Sequence, residues 1–350
     1  MLEEDISKIL KGKPDIIYDG FSLKRLTGDA SNRTYYRISN KNQSSYVVME
    51  LAEPEAFKAS EEKVTSSNAH ATELPYVNIS RLLSLCGIGV PEIYYYDRER
   101  GVLILEDLGD STMYETLKGS AADIQEKYYK KAIDELLMIQ ISATRGLDHD
   151  CIASGRGFDI PLLMWEFDHF IEYGVEARSG KKLEESEKSE IREIFYKISK
   201  ILSDEPKFLT HRDYHSRNLM IKEERIRVID FQDALMGPTV YDLASLLRDS
   251  YLQLDEKLLE DLIAYYLSKI METSGNAPDK KRFRQLFDLM SVQRNMKAVG
   301  RFVYIKEVKN NDSYIQYIPA TLNYIKKNLQ KYPDLKSLQA ILSKYVGEIA

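Results

Sequence analysis

The apolar positions of this chain group into short β-prone runs in the first third and fall into a helical rhythm after it. Phe21–Leu26, Tyr35–Ser39 and Tyr46–Leu51 are such runs, divided by turn-rich pieces. The first connection is Gly28-Asp29-Ala30-Ser31-Asn32-Arg33 and the second is Asn40-Lys41-Asn42-Gln43-Ser44. Three sequential strands joined in this way predict an antiparallel meander. Ile6 to Leu10 reads as a short helix ahead of it. After a polar stretch, Tyr76–Cys86 reads as a helix with Val77, Leu82 and Leu83 apolar. Val90–Tyr94 and Val102–Leu105 add two strands, and Leu105-Glu106-Asp107-Leu108-Gly109 ends the sheet. Helical periodicity then runs nearly to Ala350, with candidates near 111–118, 122–143, 161–174, 184–203, 240–251, 255–272, 279–307, 313–329 and 335–347.

The pattern predicts an α+β chain of two lobes with a cleft between them. A small antiparallel β lobe carries one helix over residues 1–105, and a larger, mainly helical lobe takes 110–350. At 350 residues, length agrees with about two domains at ~150 residues each. No internal repeat or low-complexity tract is visible.

Composition narrows the class without naming it. The 49 basic and 55 acidic side chains give a net charge of −6, which argues against a general nucleic-acid coat. Cys86 and Cys151, the two cysteines, cannot build a zinc cluster alone or staple a disulfide-rich scaffold. Glu3, Glu4 and Asp5 stand where a secretion signal needs positive charge. No apolar run approaches the ~18 residues of a membrane helix. The expectation is a cytoplasmic protein with no nucleic acid, membrane or obligate protein partner.

The chemistry concentrates in Phe208–Tyr251. Leu219-Met220-Ile221 and Val228-Ile229 look like two strands around the polar turn Glu223-Glu224-Arg225. Ahead of the first lies His211-Arg212-Asp213, with Asn218 five residues after Asp213; at the end of the second lies Asp230-Phe231-Gln232. A hairpin of that length returns Asp230 to the loop that carries Asp213 and Asn218. One base, one amide oxygen and one carboxylate then converge. Phosphoryl transfer from Mg-ATP asks for this set: a carboxylate to orient an acceptor hydroxyl, and hard oxygen ligands for Mg²⁺.

These motifs resemble the aminoglycoside phosphotransferase/choline kinase group within the protein-kinase-like fold. The resemblance implies that Asp213 is the catalytic base, with His211 and Asn218 beside it in the catalytic loop. It implies Asn218 and Asp230 as Mg²⁺ ligands, and Asp242 as a brace of the loop. It makes 106–109 a hinge whose backbone, at Glu106, Asp107 and Leu108, binds adenine. The first loop, through Ser31 and its backbone amides, would cap the ATP phosphates. Gly28–Ser31, Leu105–Gly109, Asp230–Ala234 with Gly237-Pro238, Tyr241–Asp249, and Gln293-Arg294, Lys297, Gly300 and Phe302 fall in an order similar to bacterial anomeric sugar kinases. Those enzymes phosphorylate the C1 hydroxyl of N-acetylmuramate and N-acetylglucosamine in cell-wall sugar recycling.

One departure stands out. Protein kinases carry a Lys on the third strand, paired with a helix Glu; here the run is Val47-Val48-Met49-Glu50, and the helix offers Val77-Asn78-Ile79. Losing both partners together is coherent, because either alone would be an unpaired charge. Arg33 and Arg37 are then candidates to neutralise phosphate, or else solvated arginines. For the sugar, the candidates are His215, Arg217, Asp233 and Arg294, with Glu166 and Asp168. A carboxylated sugar would favour an arginine in the pocket. Two other readings stay open: an aminoglycoside-type antibiotic kinase with a carboxylate-rich pocket, and a catalytically silent kinase-like binding module.

Overall fold

The computed structural model describes Ile6 and residues 21–26, 33–40, 45–51, 73–275 and 279–350. The chain divides into two compact units, Met1–Ala59 with Val90–Asp110, and Ser60–Gly89 with Ser111–Ala350.

The first unit is an antiparallel sheet. Strands β1 (Phe21–Arg25), β2 (Arg33–Asn40), β3 (Ser45–Leu51), β4 (Ile93–Asp97) and β5 (Val102–Glu106) lie in the order β1-β2-β3-β5-β4. The expected five-stranded sheet is thus observed. Successive side chains alternate between its faces. Ile38, Val48, Val102 and Ile104 share one face and form a core with Ile6, with Tyr36 and Tyr46 packed against it. The other face carries Arg37, opposite Val47, which in turn faces Leu105. Arg37 reaches the segment that follows β5. Its Nε donates to Asp107 Oδ2 at 2.6 Å, its Nη2 donates to Asp107 Oδ1 at 3.0 Å, and its Nη1 lies 2.9 Å from Asp110. Asp107 Oδ1 also accepts the amide of Gly109, which turns at φ +82°.

The second unit is mainly helical. Helix α1 (Pro75–Leu85) belongs to it by its contacts, although the sequence pattern groups that helix with the strands. The physical reason is Asn78: its Nδ2 donates to the Asp150 carbonyl at 3.0 Å, and its Oδ1 accepts the Ile152 amide at 3.0 Å. Tyr76 packs its ring on Phe231, centroids 4.7 Å apart. The position where a kinase-like Glu was sought thus holds a buried amide that staples α1 to residues 150–152.

Helices α2 (Met113–Leu117), α3 (Ala122–Leu137), α4 (Ile160–His169) and α5 (Glu185–Ser203) follow, and wider π-helical turns at Met138–Ala143 and Phe170–Ala177 prolong α3 and α4. Two short antiparallel pairs come next. Strand β6 (Lys207–Thr210) pairs with β9 (Leu235–Pro238), and β7 (Leu219–Lys222) pairs with β8 (Arg225–Val228). The β7–β8 turn places Glu223 and Glu224 at φ 51° and 60°, the left-handed geometry of a tight hairpin. The β6–β9 pair was not legible, because Leu-Met-Gly-Pro shows no strand alternation. Helices α6 (Val240–Leu247), α7 (Glu256–Ser274), α8 (Lys280–Lys309), α9 (Ile318–Lys331) and α10 (Lys336–Ser343) complete the unit.

Two features set the long helix α8 in place. Asp279 caps its first turn by accepting the amides of Lys281 and Arg282. Gly300 lets it approach the chain at the end of α4: a Cβ there would lie 3.0 Å from the His169 carbonyl oxygen and the Phe170 Cα. Among the described residues, no helix is long and apolar enough to cross a membrane.

Candidate active site

Strand β6 feeds the loop His211–Asn218, and α6 holds it. Asp242, buried in the first turn of α6, accepts the His211 amide at 2.6 Å and the Arg212 amide at 3.0 Å. Arg212 sits at φ +78°, a left-handed conformation that costs energy outside glycine, and the Asp242 bond helps to hold it. Burial pushes the Asp242 carboxyl up to about 6, although the charge of Arg294 and the two amide bonds pull the other way.

His211 is 2% exposed, and both of its ring nitrogens are engaged. Nδ1 accepts the Asp213 amide at 3.3 Å, so Nε2 carries the proton donated to the Ile229 carbonyl at 2.9 Å. His211 therefore ties the Asp213 loop to the chain entering Asp230. That makes it a positioning residue rather than a proton acceptor.

Asp213 presents its carboxylate outward, with a side chain 43% exposed in otherwise close-packed surroundings. Desolvation raises its pKa, but Lys297, Arg294, His215 and Arg212 outweigh it, and the carboxyl is held well below the usual range. Arg294 Nη1 stands 3.4 Å from Asp213 Oδ1. An accessible carboxylate that stays ionised is suited to orient a hydroxyl and to take its proton as the oxygen forms a new bond.

Asn218 and Asp230 meet as their spacing suggested. Asn218 Nδ2 donates to the Asp213 carbonyl at 3.0 Å and lies 3.5 Å from Asp230 Oδ2. That bond fixes the amide and leaves Oδ1 as an oxygen donor. Asp230 adopts φ +62°, and its Oδ1 accepts Gln232 Nε2 at 2.8 Å. An amide oxygen beside a carboxylate is a hard donor set that fits Mg²⁺, which takes few protein ligands. Among the described residues, no group of three His, Cys, Asp or Glu is arranged to hold a metal by itself.

A small cavity opens beside Asp213. Its wall includes His215, Arg294, Asn295, Lys297 and Arg301. His215 rests edge-on against Tyr251, centroids 5.1 Å apart, and its Nδ1 makes no hydrogen bond among the described residues. Burial lowers the pKa of His215 against the pull of Asp249 and Asp213. Asp249 clasps the far side of the loop: its Oδ2 accepts the Ser216 amide at 2.9 Å and hydroxyl at 2.5 Å, and its Oδ1 accepts the Tyr251 amide at 2.8 Å.

Several expected site residues stand elsewhere. Arg217 does not face this cavity. Its guanidinium lies over Tyr114, Tyr251 and Tyr317, 4.9, 4.1 and 5.1 Å from their ring centres, and donates to the Tyr317 hydroxyl at 2.6 Å. Glu166 is fully buried and serves as a counter-ion 2.9 Å from Lys297, not as a sugar ligand. Asp168 pairs with Arg192. Asp233 Oδ2 accepts Gln232 Nε2 at 3.3 Å, beside Asp230 rather than in the cavity wall. Arg37 is committed to Asp107 and Asp110, which corrects its candidacy as a phosphate cation.

Arg33 opens β2 opposite Leu51. Glu106 Oε2 accepts the Glu92 amide at 3.3 Å, and Leu108 is buried. Ser31 and its loop lie outside the described residues, as do the expected helix beyond Ile6 and the 41–44 connection. Glu50, in place of a Lys, pairs in register with Thr34 and Val102.

The sequence reading missed Lys297 as the main cation acting on Asp213, and missed Asp249 as the loop clasp. The spacing of Lys297, three residues past Arg294 on one helix face, was the available signal.

A loop carboxylate kept ionised, an amide–carboxylate oxygen pair beside it, and a five-stranded antiparallel sheet preceding a helical unit define a kinase-like phosphotransferase. Comparison with known families agrees: the Phosphotransferase enzyme family (APH) matches residues 22–284, and the chain belongs to that family. It is 29% identical over 330 residues to a Neisseria meningitidis protein named N-acetylmuramate/N-acetylglucosamine kinase, covering 94% of this chain and 92% of that one. A Pseudomonas putida protein of the same name is 30% identical over 330 residues, covering 92% and 88%. Among solved structures, choline kinase LicA from Streptococcus pneumoniae shares the fold at a TM-score of 0.59 and 17% identity, covering 95% of this chain and 99% of that one. The ADP-bound aminoglycoside phosphotransferase APH(2″)-Ib matches at 0.56 and 17%, covering 91% and 97%.

Proposed function

We propose that the protein transfers the γ-phosphoryl group of ATP to the anomeric C1 hydroxyl of N-acetylmuramate or N-acetylglucosamine, in recycling of cell-wall sugars. The observation that carries this reading is the accessible, ionised Asp213 at the edge of a polar, cation-lined cavity. The two relatives named for these sugars span nearly the whole chain and support it.

In this reading the C1 hydroxyl donates its hydrogen bond to Asp213. As the C1 oxygen bonds to the γ-phosphorus and the bond to the ADP oxygen breaks, the proton passes to the Asp213 carboxylate. Positioning and charge neutralisation supply most of the rate. Asn218 Oδ1 and Asp230 would hold Mg²⁺, whose contribution is to neutralise the phosphate oxygens. The backbone of Glu106, Asp107 and Leu108 is assigned to the nucleotide on the family pattern, and Ser31 and Arg33 are assigned to its phosphates as substitutes for the missing third-strand Lys. Arg294 and His215 are assigned to the sugar, and the reaction is assigned to the cytoplasm, where ATP is supplied.

The cavity wall speaks against the aminoglycoside reading. Arg294, Lys297 and Arg301 line it, and a polycation gains nothing there. The intact Asp213, Asn218 and Asp230 set speaks against a silent module.

Phosphorus NMR with Mg-ATP and, in parallel, N-acetylmuramate, N-acetylglucosamine, a plain hexose and kanamycin tests the proposal. A sugar 1-phosphate signal that Asp213→Asn abolishes is the expected result. Product with kanamycin alone, or with no acceptor, overturns it.

A further inference from the structure

We propose that Arg301 recognises a carboxylate on the acceptor sugar, so that the cavity beside Asp213 selects a carboxylated amino sugar over its uncharged counterpart. The inference rests on the sugar-kinase reading above and assigns the specificity within it.

The cavity wall carries four cations: Arg248, Arg294, Lys297 and Arg301. Three of them have a carboxylate of this chain. Arg248 Nη2 lies 2.9 Å from Glu256, Arg294 3.4 Å from Asp213, and Lys297 2.9 Å from Glu166. Among the described residues, Arg301 has no carboxylate partner. It is exposed, and its guanidinium rests over the Tyr304 ring at 5.1 Å, which steadies a planar fork without neutralising it. A guanidinium in that state is suited to a bidentate pair with a ligand carboxylate.

The same wall holds polar groups that the protein leaves unused. Ser245 Oγ and Asn295 Nδ2 make no hydrogen bond among the described residues, although Ser245 is 2% and Asn295 3% exposed. His215 Nδ1 is a third such atom on the same wall. Buried donors and acceptors are nearly always paired, so a set of them around one cavity points to a polar ligand. Hydroxyl and acetamido groups of an amino sugar offer the missing partners.

The geometry along α8 gives the order of groups. Arg294 touches Asp213, where the reacting hydroxyl belongs. Arg301 follows seven residues later on the same helix face, about 10 Å further at the usual rise. That separation, spanned with two long arginine side chains, suits a ligand whose anionic arm extends from the ring away from C1, as the lactyl ether on C3 of N-acetylmuramate does. Gly300 fixes the helix against His169 and Phe170 and so sets how this face meets the cavity.

The test is the ratio of kcat/KM for N-acetylmuramate to that for N-acetylglucosamine, in the full-length enzyme and in Arg301→Gln and Arg301→Lys. Loss of one charge-assisted pair should lower the ratio by about tenfold in Arg301→Gln, and Arg301→Lys should recover part of it. Thermal midpoints check that both variants are folded, which the exposure of Arg301 leads us to expect. An equal loss for the two sugars, or an unchanged ratio, overturns the assignment of Arg301 while the sugar-kinase reading stands. Failure of the unaltered enzyme to phosphorylate either sugar overturns that reading, and this inference with it.

Discussion

Lys297 Nζ stands 2.9 Å from Glu166 Oε1, a carboxylate with no solvent exposure. Glu166 also accepts Gln293 Nε2 at 2.6 Å and lies 3.5 Å from Arg212. Burial alone would lower the pKa of the Lys297 amine, but Glu166, Tyr241 and Asp213 raise it above its ordinary value. The same cation acts most strongly of the four that hold Asp213 ionised. The pair thus links a buried counter-ion on α4 to the charge state of the catalytic loop.

Lys297→Met should therefore act twice. It takes the nearer cation from buried Glu166 and leaves Arg212 at 3.5 Å, a loss that should cost up to about 3–5 kcal/mol, as in comparable broken pairs. It also releases Asp213 toward an ordinary carboxyl pKa. The sign follows from the depressed value. Ionised Asp213 contributes stability above its unfolded pKa, and that contribution disappears only as pH falls through the lower folded value. The unaltered enzyme should show no acid limb from Asp213 at ordinary assay pH, and Lys297→Met should move that limb upward. Urea denaturation and a kcat–pH profile read the two effects. The double variant Glu166→Gln/Lys297→Met should regain stability over the single one while keeping the shifted profile. A double variant no more stable than Lys297→Met would contradict the pairing.

Asp242 carries the opposite sign. Its carboxyl is raised from 3.8 to about 6 in the fold. As pH falls the folded chain takes up this proton first, so the group favours folding most below its unfolded pKa. Between about pH 4 and pH 6 the advantage is lost as pH rises, up to roughly 3 kcal/mol in all. Asp242→Asn cannot titrate and should lack that slope. It should also lower kcat across the pH range, since an amide nitrogen facing the His211 and Arg212 amides cannot accept both. Stability measured at pH 4.5 and pH 7 in both proteins checks this; parallel slopes would refute the assignment.

The strands and the reacting set were readable because local rules govern them. Short β-prone runs between turn-rich pieces marked β2, β3 and β5, and the spacing of Asp213, Asn218 and Asp230 needed only a hairpin to bring them together. The charge partners were not readable, since pairing across elements leaves no trace in spacing. Nothing local says that Arg37 on β2 would meet Asp107, seventy positions on. Glu166 and Arg294 looked alike as polar candidates, and burial separated them: one is sealed against Lys297, and the other touches Asp213 at the cavity. The 240–251 helix was read too long for a related reason. Helix α6 stops at Leu247, and Asp249 turns back to hold Ser216.

Arg217 offers the clearest contrast between a ligand role and a scaffolding role. It sits between Ser216, which Asp249 clasps, and Asn218, and its guanidinium is enclosed by Tyr114, Tyr251 and Tyr317. Tyr251 in turn supports the ring of His215 at 5.1 Å. Removing the guanidinium in Arg217→Ala should cost about 2 kcal/mol of desolvated cation–π and hydrogen-bond energy. The loop that carries Asp213 and Asn218 would loosen with it. The denaturation midpoint and kcat should both fall, while KM for the sugar should change by less than about twofold, because no ligand contact is removed. Arg217→Lys, which keeps the charge but not the flat fork that stacks on three rings, should fall between the two. A large rise in KM with unchanged stability would instead return Arg217 to the sugar site and contradict the enclosure as its main role.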